Sequence, residues 1–191
     1  MEKTRKHCRI GKLKYPASDK IDSRITTVAR SMASTVVPRI PCSPEEEEKM
    51  AGIFGMDPAH PLCVYCGRPA SHLDHLHPLI EDGFLSGYCS DPGNLVPCCP
   101  ECNSKKRSSD WVEYMRNYGG ITNQDGCMEE RMRKLKDFTV QMPARKIDYD
   151  RIPGFREMWD RQIKAIENDL KQTRASLEDY RGSVLKEYGF K

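Results

Sequence analysis

The sequence predicts an α+β protein: a small strand–loop–strand–helix module clamped by cysteines, with mainly helical segments on either side. Three observations predict it. Two Cys-x-x-Cys pairs, Cys63-Val64-Tyr65-Cys66 and Cys99-Pro100-Glu101-Cys102, bracket the middle of the chain with 32 residues between them. Between the pairs lie a histidine-rich segment, residues 71–79, and the short apolar segment Asn94-Leu95-Val96-Pro97, which follows the turn sequence Asp91-Pro92-Gly93. Outside them, apolar residues recur at helical rather than strand spacing.

The chain has 191 residues, 38% hydrophobic and 31% charged, which fits a soluble protein with a modest core. No apolar run approaches the ~18 residues that a membrane span requires. The basic start Met1-Glu2-Lys3-Thr4-Arg5-Lys6 is not followed by an apolar stretch, so a secretory signal is not expected and the cytoplasm is the expected compartment. A net charge of +3 hides an asymmetry: residues 1–43 carry ten Lys/Arg against three Asp/Glu, residues 44–103 two against ten, and residues 104–191 nineteen against fifteen. An acidic middle between basic ends suits a metal-binding centre held to a polyanion, although ordinary solvated surface accounts for the same charges. The expected division is a basic N-terminal accessory segment (1–60), a central module (61–120) and a helical C-terminal accessory or dimerisation segment (121–191).

In the flanks, Ser43-Pro44-Glu45-Glu46 reads as a helix start, with serine at the N-cap, proline at the first helical position and acids at the positive end of the dipole. That helix should run through Met50 to Phe54 and stop near Gly55. Met128, Met132, Leu135 and Phe138 predict a second helix, closed by Pro143. Trp159, Ile163, Ile166, Leu170, Thr173, Leu177, Tyr180 and Val184 alternate steps of four and three, a heptad-like stripe. A helix over 155–188 would be roughly 50 Å long at ~1.5 Å per residue. Packing on the same chain and pairing with a second copy both suit it. The periodicity of residues 21–37 is too weak to choose helix or strand.

Nine cysteines suit neither a disulfide framework nor chance, because six of them fall within one 40-residue window. Two tight Cys-x-x-Cys knuckles can supply Cys63, Cys66, Cys99 and Cys102 to one tetrahedral zinc ion. With four protein ligands that ion has no open position, so it is expected to be structural. Cys98 competes with Cys99, but its spacing to Cys102 lacks the knuckle geometry. Cys8, Cys42, Cys89 and Cys127 are expected as free thiols. Three of the five histidines, His72, His75 and His77, fall with Asp74 inside Ser71-His72-Leu73-Asp74-His75-Leu76-His77-Pro78-Leu79, a density unusual for a surface strand. A single helix is expected to open at Cys102-Asn103-Ser104-Lys105-Lys106-Arg107 and carry Trp111, Met115 and Tyr118 on its apolar side.

Cys-x-x-Cys, then Asp-His-x-x-Pro-Leu, then Asn-Leu-x-x-x-Cys-x-x-Cys-Asn-x-x-Lys resembles the pattern of four-cysteine HNH endonucleases, over about sixty residues from Leu62 to Tyr118. The resemblance implies the zinc-stapled ββα-metal fold and a DNA-cleaving activity. It implies that His75 is the general base and Asp74 a ligand of a catalytic divalent cation. Asn94 would hold the loop and orient His75, and Asn103 would be the second protein ligand of the cation. Many relatives carry histidine where Asn103 stands, and an oxygen ligand there favours hard ions such as Mg²⁺ or Mn²⁺. The chemistry needs these groups: a neutral imidazole can deprotonate water near pH 7, and a cation can stabilise charge on the phosphate oxygens. Lys105, Lys106 and Arg107, next to Asn103, are expected to meet DNA phosphates. His77 could add a polar phosphate contact but is often apolar in the family, which favours packing.

One tension follows from strand geometry. Asp74 and His75 are neighbours and should point to opposite faces of a regular strand, yet both must reach one phosphate. The expected function is therefore a metal-dependent endonuclease acting on double-stranded DNA, of a sequence-specific restriction type, working as a homodimer. The alternatives are a nonspecific nuclease or toxin, and a catalytically silent zinc module that binds nucleic acid.

Overall fold

The computed structural model describes residues 9–10, 13–14, 21–118, 121 and 123–189, and the fold is α+β. Cys8, expected as a free thiol, lies outside the described residues. The chain forms two compact units, one of residues 28–161 and one of residues 1–27 with 162–191. The smaller holds the short antiparallel pair β1 (Arg9–Ile10) and β2 (Leu13–Lys14) and the distal part of the C-terminal helix. Among the described residues no helix is long and apolar enough to cross a membrane.

The larger unit is built on one antiparallel ribbon, β3 (His72–His75) and β6 (Leu95–Cys98), paired from His72 with Cys98 to His75 with Leu95. Between these strands lies the hairpin β4 (Ile80–Glu81) and β5 (Phe84–Leu85). Asp82 and Gly83 both have positive φ, 49° and 81°, the requirement of a tight hairpin turn. Trp159 packs edge-on against Phe84 and donates its indole N–H to the Gly83 carbonyl at 3.0 Å.

Helix α1 (Ile25–Val36) begins after a short 3₁₀ turn at Ile21–Arg24, settling as helix the segment whose periodicity was indecisive. Helix α2 (Pro44–Phe54) has the predicted N-cap: the Ser43 hydroxyl accepts from the Glu46 N–H while Glu46 reaches back to the Ser43 N–H. Gly55 ends it in the left-handed conformation at φ 65°. The helix predicted around Met128 is α5 (Met128–Gln141), with Leu135 and Phe138 fully buried and Pro143 just beyond its end. It packs on α2, with the Phe54 and Phe138 rings 5.2 Å apart and Lys134 donating to the Phe54 carbonyl at 2.8 Å. The C-terminal helix α6 (Phe155–Glu187) matches the predicted span.

The expected single helix after Cys102 is in fact two. Helix α3 (Pro100–Lys106) stops at Arg107, whose φ is 53°, and α4 (Trp111–Asn117) restarts under an Asp110 N-cap that accepts from Val112 and Glu113. The break lets Trp111, Tyr114 and Met115 turn into the core beside the cysteines, Leu135 and Phe138. Tyr118, expected on the same apolar face, stays partly exposed.

Gly93 in the turn before β6 lies under the chain at Pro143 and Ala144, where an added Cβ would sit 2.7 Å from backbone atoms. Overpacking of that kind costs about 1–3 kcal/mol. Gly93→Ala is therefore expected to lower the urea unfolding midpoint of the protein, and an unchanged midpoint would refute this packing.

Candidate active site

The two knuckles meet. Each of Cys63, Cys66, Cys99 and Cys102 is buried, and their sulfurs all lie within 4.8 Å of one another, with Cys66 and Cys99 Sγ 3.6 Å apart. A tetrahedral zinc with Zn–S bonds of ~2.3 Å needs sulfurs roughly 3.8 Å apart, so this cluster could hold one. Its surroundings suit thiolates: the Cys102 N–H donates to Cys99 Sγ, and the Arg68 guanidinium donates to both Cys66 and Cys99 sulfurs. Cys98, the competitor, turns its thiol to the Cys99 carbonyl and is not one of the four. Cys42, Cys89 and Cys127 are free thiols, as expected.

The cysteine cluster sets the ends of β3 and β6. The Ser71 N–H donates to the Cys98 carbonyl and the Val64 N–H to the Pro97 carbonyl. Asp74 points inward from β3 and is 6% exposed. Its Oδ2 accepts from the Tyr65 hydroxyl at 2.7 Å and lies 3.1 Å from Lys106 Nζ. Lys106 is completely buried and also donates to the His75 carbonyl at 2.8 Å. This corrects the expectation that Lys106 meets DNA. It lies one helical turn after Asn103 on α3 and so shares the inward face, whereas Lys105 and Arg107 are exposed.

His75 is half-buried, with Nε2 2.7 Å from Ser90 Oγ. Burial holds its pKa below the ordinary histidine value; the Asp74 charge opposes that shift, and Lys106 and Arg39 reinforce it. The imidazole is therefore neutral near pH 7. Ser90 is itself fixed by the segment after α1, accepting from Ile40 N–H at 2.9 Å and donating its own N–H to the Pro38 carbonyl at 3.0 Å.

Asp74, His75 and Asn103 line one cleft of about 530 Å³, together with Arg30 and Ser34 of α1 and Arg107. Asp74 and His75 both border this cleft although they are neighbours in β3, of which His75 is the last residue. Beyond it the chain follows Asn94: the Leu76 N–H donates to the Asn94 carbonyl, and the His77 N–H to Asn94 Oδ1. Asn94 is fully buried, and its amide nitrogen donates to the Cys89 and His77 carbonyls. It braces the loop; no hydrogen bond links it to the His75 ring among the described residues.

His77 lines a different pocket, stacked on Tyr88 at 4.2 Å with Lys146 on the tyrosine ring, so packing is the role its geometry displays. His72 is exposed, hydrogen-bonded to Ser71, and reaches the edge of the Asp74 cleft. Sequence reasoning missed Tyr65, Ser90 and Arg30. Tyr65 gave a signal only as a residue inside a knuckle; Ser90 and Arg30 reach the site by tertiary packing alone.

Residues 63–109 match the family model for HNH endonucleases. No curated protein and no solved structure matches the chain. The matched stretch begins at the first cysteine of one knuckle and extends past the second, so the sulfur cluster and the family pattern describe the same piece of chain. Residues 63–109 are thus the part of the chain that is similar to HNH endonucleases.

Proposed function

We propose that this chain is a metal-dependent DNA endonuclease of sequence-specific restriction type. The observation that carries the reading is that Asp74, His75 and Asn103 share a cleft with two arginines. Asp74 and Asn103 would hold a divalent cation, Mg²⁺ or Mn²⁺, whose chemistry is to stabilise negative charge on the phosphate and leaving oxygens. Asp74 keeps Oδ1 for that purpose, because Oδ2 is engaged by Tyr65 and Lys106.

His75 is the general base. With Nε2 engaged by Ser90, Nδ1 receives the proton of the attacking water as the new P–O bond forms and the bond to the leaving oxygen breaks. Arg30, Lys105 and Arg107 grip phosphates flanking the scissile one, and none of the three has a carboxylate partner among the described residues. Zinc in the four-cysteine site braces the scaffold and, with all four positions filled by protein, takes no part in hydrolysis.

The distal face of α6 exposes Leu177 (56%), Tyr180 (72%) and Val184 (52%). Pairing of that face with a second copy would supply the second active site that a double-strand break needs. Light scattering should give twice the chain mass at working concentration; a monomer would remove the dimer from this reading.

The test of function is incubation of zinc-loaded protein with supercoiled plasmid and Mg²⁺ or Mn²⁺, followed by digestion of a long defined DNA. Nicked and linear plasmid with discrete fragments is expected. A smear would favour a nonspecific nuclease, and intact plasmid a silent zinc module. Ser90→Ala is expected to slow nicking roughly tenfold, since it frees the imidazole that Ser90 orients. An unchanged rate would remove Ser90 from the site.

A further inference from the structure

The most buried cation among the described residues sits behind the cleft. Lys106 has no exposed surface, and its ammonium is bonded at once to the Asp74 carboxylate and the His75 carbonyl. It also stands three residues after Asn103 on α3. One charged group therefore ties the strand bearing Asp74 to the helix bearing Asn103. Flexible lysines are seldom held this way, because burying the ammonium is costly unless hydrogen bonds and a counter-charge compensate.

Asp74 is the sole carboxylate among the described residues lining the cleft, which also carries Arg30 and Arg107. With Lys106 cancelling Asp74 from behind, the empty cleft offers a dication no net negative charge. A DNA phosphate would bring that charge. We propose that Lys106 is a positioning residue that fixes Asp74 and Asn103 as one site and neutralises the Asp74 carboxylate, so that a divalent cation binds there together with a DNA phosphate rather than ahead of it. The inference rests on the nuclease reading above.

The experiment is Mn²⁺ binding followed by electron paramagnetic resonance on the zinc-loaded full chain. A His75→Ala background keeps the DNA uncut. With Lys106 in place, Mn²⁺ affinity is expected to rise at least about tenfold when a duplex is added. Lys106→Met, which keeps the length but removes the charge, is expected to bind Mn²⁺ about tenfold more tightly without DNA and to show weaker coupling to the duplex. A merely structural lysine would leave DNA-free affinity unchanged or lower it, and either result in a variant that retains its zinc overturns the proposal. If Lys106→Met loses its zinc, the coupling in the Lys106 protein decides: equal Mn²⁺ affinity with and without duplex overturns it. Failure of the nuclease reading looks different. Intact plasmid with the wild type, alongside tighter DNA-free Mn²⁺ binding by Lys106→Met, would sink the nuclease and leave the charge-neutralising role of Lys106 standing.

Discussion

His75→Ala is expected to reduce plasmid nicking by at least about 10²-fold while the protein stays folded and zinc-loaded. General-base catalysis contributes on the order of 10²–10⁴ in rate, and among the described residues His72 is the one other histidine that borders the cleft of Asp74 and Asn103. His77 is stacked on Tyr88 in another pocket, and His72 lies at the exposed edge, bonded to Ser71. Among the described residues the His75 side chain makes one hydrogen bond, to Ser90, whereas its backbone carries the strand pairing and the Lys106 contact. Truncation should therefore remove chemistry and leave architecture. The check is initial nicking rate against zinc content and circular dichroism for both proteins; equal rates would show that another group activates the water.

The second large effect is on stability. Cys102→Ser is expected to release the zinc and unfold the 63–118 region, because the four sulfurs are the centre of its core rather than an appendage. Val64, Tyr65, Leu76, Val96, Trp111 and Tyr114 pack around them in one buried cluster with Leu135 and Phe138. Zinc binding in small modules is worth on the order of 10 kcal/mol, comparable to the whole stability of a domain. Chelation of the wild type should give the same loss, read as collapse of near-ultraviolet circular dichroism with stoichiometric zinc release. A Cys102→Ser protein melting at the wild-type temperature would contradict a metal-braced core.

Much of this was legible in local sequence. The cysteine spacing picked the four thiols that the fold brings together, Cys99 rather than Cys98, because a knuckle demands two intervening residues. Ser43, Pro44 and Gly55 marked the ends of α2 because capping chemistry is local. The Asp82-Gly83 hairpin turn carries a local signal of the same kind. The run Lys105-Lys106-Arg107 misled because three consecutive basic residues look like solvated surface. Helical phase separates them: counted from Pro100, Lys106 falls on the face of Asn103 and turns inward. The break at Arg107 was hidden because an arginine with positive φ has no composition cue. Ser90 and Arg30 had no local signature, since the segments that deliver them to the cleft are brought there by packing remote in sequence.

In the proposed mechanism Asp74 and Asn103 share one cation beside the His75 imidazole. The most direct measurement is the anomalous scattering of Mn²⁺ in crystals of the His75→Ala protein bound to duplex DNA. A single peak within coordination distance of the Asp74 carboxylate, the Asn103 side chain and a phosphate oxygen is predicted. A bound duplex with no manganese between those two residues would contradict it.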